Sequence, residues 1–183
     1  IKRLNEASLL DIIPTFLGAH AFPTEFAHDH QGYVDLICNE MIPAVAEENL
    51  AEFCDVFCEK GYFTVDQSRQ ILETAMDHRM TPRLHADEFV DSGAAELAGE
   101  LNAVSADHLM AVSDVGIQSL AENNVIATLL PCTTLFLGKH DYANGRTLID
   151  AGVEVALATD FNPGSSTLNS LSWVMSLAVL YCG

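Results

Sequence analysis

Short apolar runs and longer amphipathic stretches alternate along the whole chain. The runs predict β-strands over 12–19, 53–58, 83–86, 103–106, 125–130 and 153–158, because each is the length of a strand and is bounded by polar or turn-forming residues. Between them apolar positions recur at helical spacing. Val34, Ile37 and Met41 predict a helix over 34–41 that stops near Pro43, and Ile71, Leu72, Ala75 and Met76 share one face of a helix over 65–79. Thr64 and Gln67 have the spacing of a capping box, in which hydroxyl and side-chain amide satisfy free backbone N–H groups. Further helices are expected over 92–100, 113–123, 142–151 and 168–181.

Strand and helix in alternation argue for parallel βα units and an α/β fold. Two architectures compete. A doubly wound open sheet would carry a Gly-rich phosphate turn after its first strand, and none is present. A (β/α)8 TIM barrel gathers the C-terminal ends of its strands at one mouth, where residues distant in sequence meet. Polar side chains follow almost every apolar run (His20, Glu59, His85, His108, Asp160), which favours the barrel. No internal repeat or linker divides the chain, so it reads as one domain.

Composition narrows the partners. At 49% hydrophobic content the chain can bury a core, and 26 acidic against 8 basic residues give a formal charge of −18 that would repel phosphate backbones and anionic lipid. Neither nucleic acid nor a membrane surface is expected as a partner. The five cysteines lack the spacing of a disulfide framework and read as reduced thiols of a cytoplasmic protein. Residues 1–6 lack a Met, an apolar core and a cleavage site, so no secretory signal is expected and the segment looks cut from a longer chain. The longest apolar stretch, 171–182, is shorter than the roughly 20 residues a spanning helix needs.

Six segments carry a resemblance: LGAHAFPTEF (17–26), DVFCEKGYF (55–63), HADEF (85–89), SADHL (105–109), LLPCTTLFL (129–137) and ATDFNPGSS (158–166). Together they resemble the imidazolonepropionase family of metal-dependent amidohydrolases. HADE followed by TDFNPG, in this order and spacing, is the specific part. The resemblance implies an incomplete barrel, strands three to eight, with residues 1–183 as a partial amidohydrolase barrel domain. It places the family's His-x-His ligand strand upstream of Ile1 and the flanking β-sandwich segments outside the chain. The implied reaction is hydrolysis of the ring C–N amide bond of 4-imidazolone-5-propanoate to N-formimino-L-glutamate in histidine degradation. The implied cofactor is zinc, with iron as the alternative, since nitrogen and oxygen donors accept both. A homodimer through exposed helices is the partner the fold class admits.

By resemblance His85 and Asp160 are metal ligands, and Asp160 also accepts a proton from the attacking water. Glu88 contacts substrate and moves protons, His108 polarises the carbonyl, and His20, Asn162, Gly164 and Ser165 contact the substrate. Each has a plainer reading: a core histidine for His85 and His108, a loop cap for Asp160, a solvent-facing helix-entry charge for Glu88, and an ordinary Asn-Pro-Gly turn for residues 162–164. Arg69, Arg79, Arg83 and Arg146 are candidates for gripping the propionate. His28-Asp29-His30 is expected to be a solvated loop and not the ligand pair. Cys54 and Cys58 read as small buried apolar residues, and Asp87 and Asp107 as carboxylates supporting the neighbouring histidines or starting helices. Two other functions stay open: a related amidohydrolase such as a nucleobase or aminopurine deaminase, and a non-catalytic, metal-free barrel fragment.

Overall fold

The computed structural model describes residues 1–183 apart from the Lys2 side chain. Six parallel strands lie side by side in chain order: β1 (Thr15–Ala19), β2 (Phe53–Cys58), β3 (Thr81–Ala86), β4 (Ser105–His108), β5 (Ile126–Leu129) and β6 (Val155–Leu157). A doubly wound sheet reverses its strand order at a switch point. This order has no reversal, so the sheet is an open, six-stranded part of a barrel.

The helices are α1 (Lys2–Ala7), α2 (His30–Leu36), α3 (Ile42–Glu47), α4 (Val65–Asp77), α5 (Ala94–Glu100), α6 (Asp114–Glu122), α7 (Pro131–Phe136), α8 (Gly145–Asp150) and α9 (Leu171–Tyr181). Several boundaries differ from the sequence pattern, each for a local reason. β1 starts only at Thr15, after Pro14, which has no N–H for the ladder. β4 lies two residues later than expected, so that His108 is its last residue instead of the second residue beyond it. The helix expected over 34–41 runs instead from His30 to Glu47. Its middle, Ile37–Met41, widens into a π-turn, and Pro43 falls in the first turn of α3, where a missing donor does least harm. Asp29 caps α2 by accepting from Gly32 N at 2.9 Å, so His30 opens a helix and the segment is not a plain loop. Helix α7 was not legible, being a single short stretch begun by Pro131.

Alternation along each strand sorts the side chains into two layers. Cys54, Val56 and Cys58 of β2, Leu84 and Ala86 of β3, Ala106 of β4 and Ala127 and Leu129 of β5 are buried in one core with Ile71, Leu72 and Ala75 of α4, Ala94 and Ala98 of α5, and Leu120 of α6. Each such Leu or Val contributes about 1.5–3 kcal/mol by leaving water. Helices α5 and α6 cross closely enough that a Cβ on Gly116 would lie 2.9 Å from that of Ala95. The opposite layer, the inner face of the barrel, is polar: Asp55, Arg83, His85, Ser105, Asp107 and Thr128 stand on it in register.

The expected capping box forms at α4, with Thr64 Oγ1 accepting from Gln67 N at 3.2 Å and Gln67 Oε1 accepting from Thr64 N at 3.1 Å. Thr64→Ala should lower unfolding free energy by about 0.5–2 kcal/mol, measured by urea titration, while Thr64→Ser should stay near wild type.

Candidate active site

One cleft of about 180 Å³ at the C-terminal end of the sheet is lined by His20, His85, Glu88, His108, Asp160, Asn162, Gly164 and Ser165. These are the residues singled out from the sequence. Parallel strands bring them together, because β1, β3, β4 and β6 all end on the same side. His20 follows β1, His85 lies near the end of β3, His108 ends β4, and Asp160 follows β6. Ring centroids of His85 and His108 are 5.2 Å apart and those of His20 and His85 5.8 Å apart.

His108 reaches the cleft through an unusual backbone. Strict alternation would send it with Ala106 toward the helices. Its φ of 80° rotates the Cβ and delivers the ring beside His85. Asp87, Leu109 and Asp160, with φ of 49°, 61° and 50°, are left-handed too, so three strand exits around the cleft hold backbone conformations that L-residues seldom adopt.

The electrostatics divide the cleft. Burial pulls the His85 imidazolium down, but the charge and hydrogen bond of Asp55, with Asp107 and Asp160 behind, more than offset it and bring the ring to about 9. Its Nδ1 lies 3.0 Å from Asp55 Oδ1. His108 is driven the other way, well below its ordinary value, by burial and then by the neighbouring His85 and His20. It is neutral, 2% exposed, and among the described residues neither ring nitrogen has a hydrogen-bond partner. Burial lifts Glu88 to about 7, with Asp160 and Glu59 adding to the shift and His85 opposing it. Its Oε1 is 3.7 Å from His108 Nδ1, beyond hydrogen-bond reach.

Neighbouring loops are tied by buried carboxylates. Glu59 accepts from Lys60 N at 2.7 Å and from Phe89 N at 2.8 Å, anchoring the segment that carries Glu88. Asp87 is fully buried and accepts from Ser92 N and Oγ, Ala94 N and Ala95 N, which makes it the cap of α5. After β6, Asn162 Oδ1 accepts from Gly164 N at 2.9 Å and Ser165 N at 2.7 Å, while its Nδ2 donates to Asp160 O at 2.8 Å. The turn is thus built around the Asn162 side chain. Thr133 Oγ1 donates to Asp160 Oδ2 at 2.6 Å and fixes that carboxylate from α7.

Asp55 and Thr133 escaped the sequence reading. A lone carboxylate inside the apolar run FCDVFC was a visible signal for Asp55; Thr133 offered none. None of the four candidate arginines lines the cleft. Arg69 pairs with Glu100, Arg146 with Asp150, and Arg83, on the inner face, donates to Asp107 Oδ2 at 3.2 Å and Ser105 Oγ at 3.1 Å. His30 lies flat on Phe22, centroids 3.8 Å apart, away from the cleft. Cys54 and Cys58 are buried thiols, pushed by burial up to about 12 and about 11.

The cleft offers donors of the kind a divalent first-row metal takes: His85 Nε2, an Asp160 carboxylate oxygen and the His20 ring, beside the unpartnered His108. Among the described residues, the group of three donors within 4.8 Å of one another is Asp87, Asp91 and Glu96, but Asp87 there is already occupied as a helix cap. Asp87→Ala should cost about 3 kcal/mol of stability by stranding buried N–H groups at the start of α5, with Asp87→Asn losing less; paired thermal melts measure the difference.

Known proteins share both sequence and fold. No family model matches the chain. The imidazolonepropionase of Thermoanaerobacter pseudethanolicus is 54% identical over 180 residues, 98% of this chain and 43% of the relative. That of Shouchella clausii is 55% identical over 179 residues, 98% of the chain and 40% of the relative, and that of Geobacillus kaustophilus 55% over 182 residues, 100% and 43%. The chain therefore spans about two-fifths of the length of these relatives. Among solved structures, 5-methylcytosine deaminase from Klebsiella pneumoniae liganded with phosphonocytosine superposes with a TM-score of 0.70 at 16% identity, covering 99% of this chain and 49% of that one. An adenosine deaminase from Xanthomonas campestris with bound zinc superposes at 0.65 and 19% identity, covering 90% and 40%. Identity that low speaks for the fold alone, but identity above half, along nearly every residue from β1 to α9, does more: the chain belongs to the imidazolonepropionase family.

Proposed function

We propose that this chain forms part of a cytoplasmic, metal-dependent hydrolase that opens the ring C–N amide bond of 4-imidazolone-5-propanoate to N-formimino-L-glutamate. The observation that carries the reading is the convergence of His85, Glu88, His108 and Asp160 on one cleft in a chain 54% identical to an imidazolonepropionase. In this reading residues 1–183 belong to a single barrel domain. Among the described residues no helix is long and apolar enough to cross a membrane.

His85, through Nε2, and Asp160, through a carboxylate oxygen, would hold the metal, zinc or iron. Bound there, a divalent ion would lower the pKa of a coordinated water toward about 7 and supply the nucleophile. Binding there would require His85 to give up its second ring proton, the one on Nε2, while Nδ1 stays bonded to Asp55. Asp160, whose carboxylate is steadied by Thr133, would take a proton from the attacking water. His108 is neutral and has an unpartnered N–H to give to the oxyanion that grows on the ring carbonyl, the kind of preoriented donor that stabilises charge as it forms. Glu88, at about 7, can both accept and release a proton near neutral pH, which suits transfer to the departing ring nitrogen. His20 and the turn of Asn162, Gly164 and Ser165 complete the lining and would contact the substrate.

Deamination of a nucleobase is the rival, and the solved neighbours give it fold-level support at under 20% identity. Turnover of 4-imidazolone-5-propanoate against guanine and cytosine by a full-length protein carrying this segment separates the two. In that protein Glu88→Gln should keep its metal and lose about 10²- to 10⁴-fold in kcat, whereas His85→Ala and Asp160→Ala should lose metal as well, by elemental analysis. His28→Ala and His30→Ala should leave metal content unchanged, because neither lines the cleft.

A further inference from the structure

We infer that Asp55 is the positioning residue of the cleft: its carboxylate holds His85 with Nδ1 protonated, leaving Nε2 as the nitrogen with a lone pair for the metal. The inference rests on the reading of His85 as a ligand. It stands on geometry. Asp55 lies mid-strand in β2, 5% exposed and one level deeper than Phe57, the residue that faces His85 across the ladder. From there Oδ1 reaches diagonally to His85 Nδ1 at 3.0 Å. Arg83 stands directly opposite Asp55 in register, yet its guanidinium turns to β4, taking Asp107 Oδ2 and Ser105 Oγ. That division leaves the Asp55 carboxylate for His85.

A buried carboxylate in the middle of an apolar strand is destabilising unless it is hydrogen-bonded, so its presence in β2 calls for a partner on a neighbouring strand. His85 is that partner. An imidazole bonded at one nitrogen has both its tautomer and its ring orientation set, and a carboxylate at that position also makes the other nitrogen a better donor. Phe57 packs beside the ring, at 5.7 Å between centroids, and limits its tilt from the side.

The test uses the full-length, zinc-loaded protein with isotope-labelled histidine. His85 should carry its proton on Nδ1, seen as a slowly exchanging, hydrogen-bonded ring N–H. Asp55→Ala should abolish that signal and weaken zinc, measured by chelator competition, about 10- to 100-fold. Asp55→Asn, which retains an acceptor oxygen without the charge, should keep the signal and lie between the two in affinity. A thermal melt on each variant separates loss of fold from loss of position. A proton on Nε2 in the wild-type protein overturns the inference whatever the variants do, as does an Asp55→Ala variant with unchanged zinc affinity while His85→Ala loses zinc. If His85→Ala itself keeps full zinc, the ligand reading fails instead.

Discussion

Parallel strand register is the constraint on which this molecule depends. With a side-chain period of two and six strands in chain order, one face must be apolar to hold the helices, and whatever polarity the strands carry is driven to the other. Asp55, Arg83, His85, Ser105 and Asp107 end up shoulder to shoulder on the inner face. Charges so placed are tolerable only as pairs. The two pairs formed, Asp55 with His85 and Arg83 with Asp107, cross between adjacent strands and pin the register they depend on.

Above this paired layer the cleft is held by loops whose order comes from side-chain to backbone bonds. Glu59 grips the N–H groups after Glu88, Asp87 caps α5, and Asn162 organises the turn after β6. Each is a carboxylate or amide accepting from backbone that would otherwise lack a partner in a sheltered place. The left-handed exits at Asp87, His108 and Asp160 persist within this network, and at His108 the rotation carries the imidazole into the cleft. Local strain and orientation are here one feature.

The chemistry of the cleft follows from unequal burial and unequal neighbours. His85 and His108 are adjacent rings with opposite fates: one has a carboxylate on its nitrogen and titrates high, the other is buried beside two imidazoles with no carboxylate within hydrogen-bond reach and stays neutral. Glu88 lies between them in sequence and close to His108 in space, and burial sets it near neutrality. Acid, base and donor roles thus separate without any of these side chains being unusual in type.

Much of this was readable in one dimension. Strand and helix order, the cap at Thr64 and the polar residues closing the apolar runs follow from local periodicity and motif, because each depends on residues within a few positions; the grouping of His85, Glu88, His108 and Asp160 with the 162–165 turn came instead from the family resemblance of those segments. The helix through Pro43, the two-residue shift of β4 and the short α7 did not, since there a π-turn, a strand end and a proline-started turn override propensity. The pairing of Asp55 with His85, the capture of Arg83 by Asp107 and the grip of Thr133 on Asp160 were decided by tertiary structure alone. They join residues on different elements, and which of them meet is set by inter-strand register and by the backbone angle at each strand exit, neither of which is a property of any short stretch of sequence.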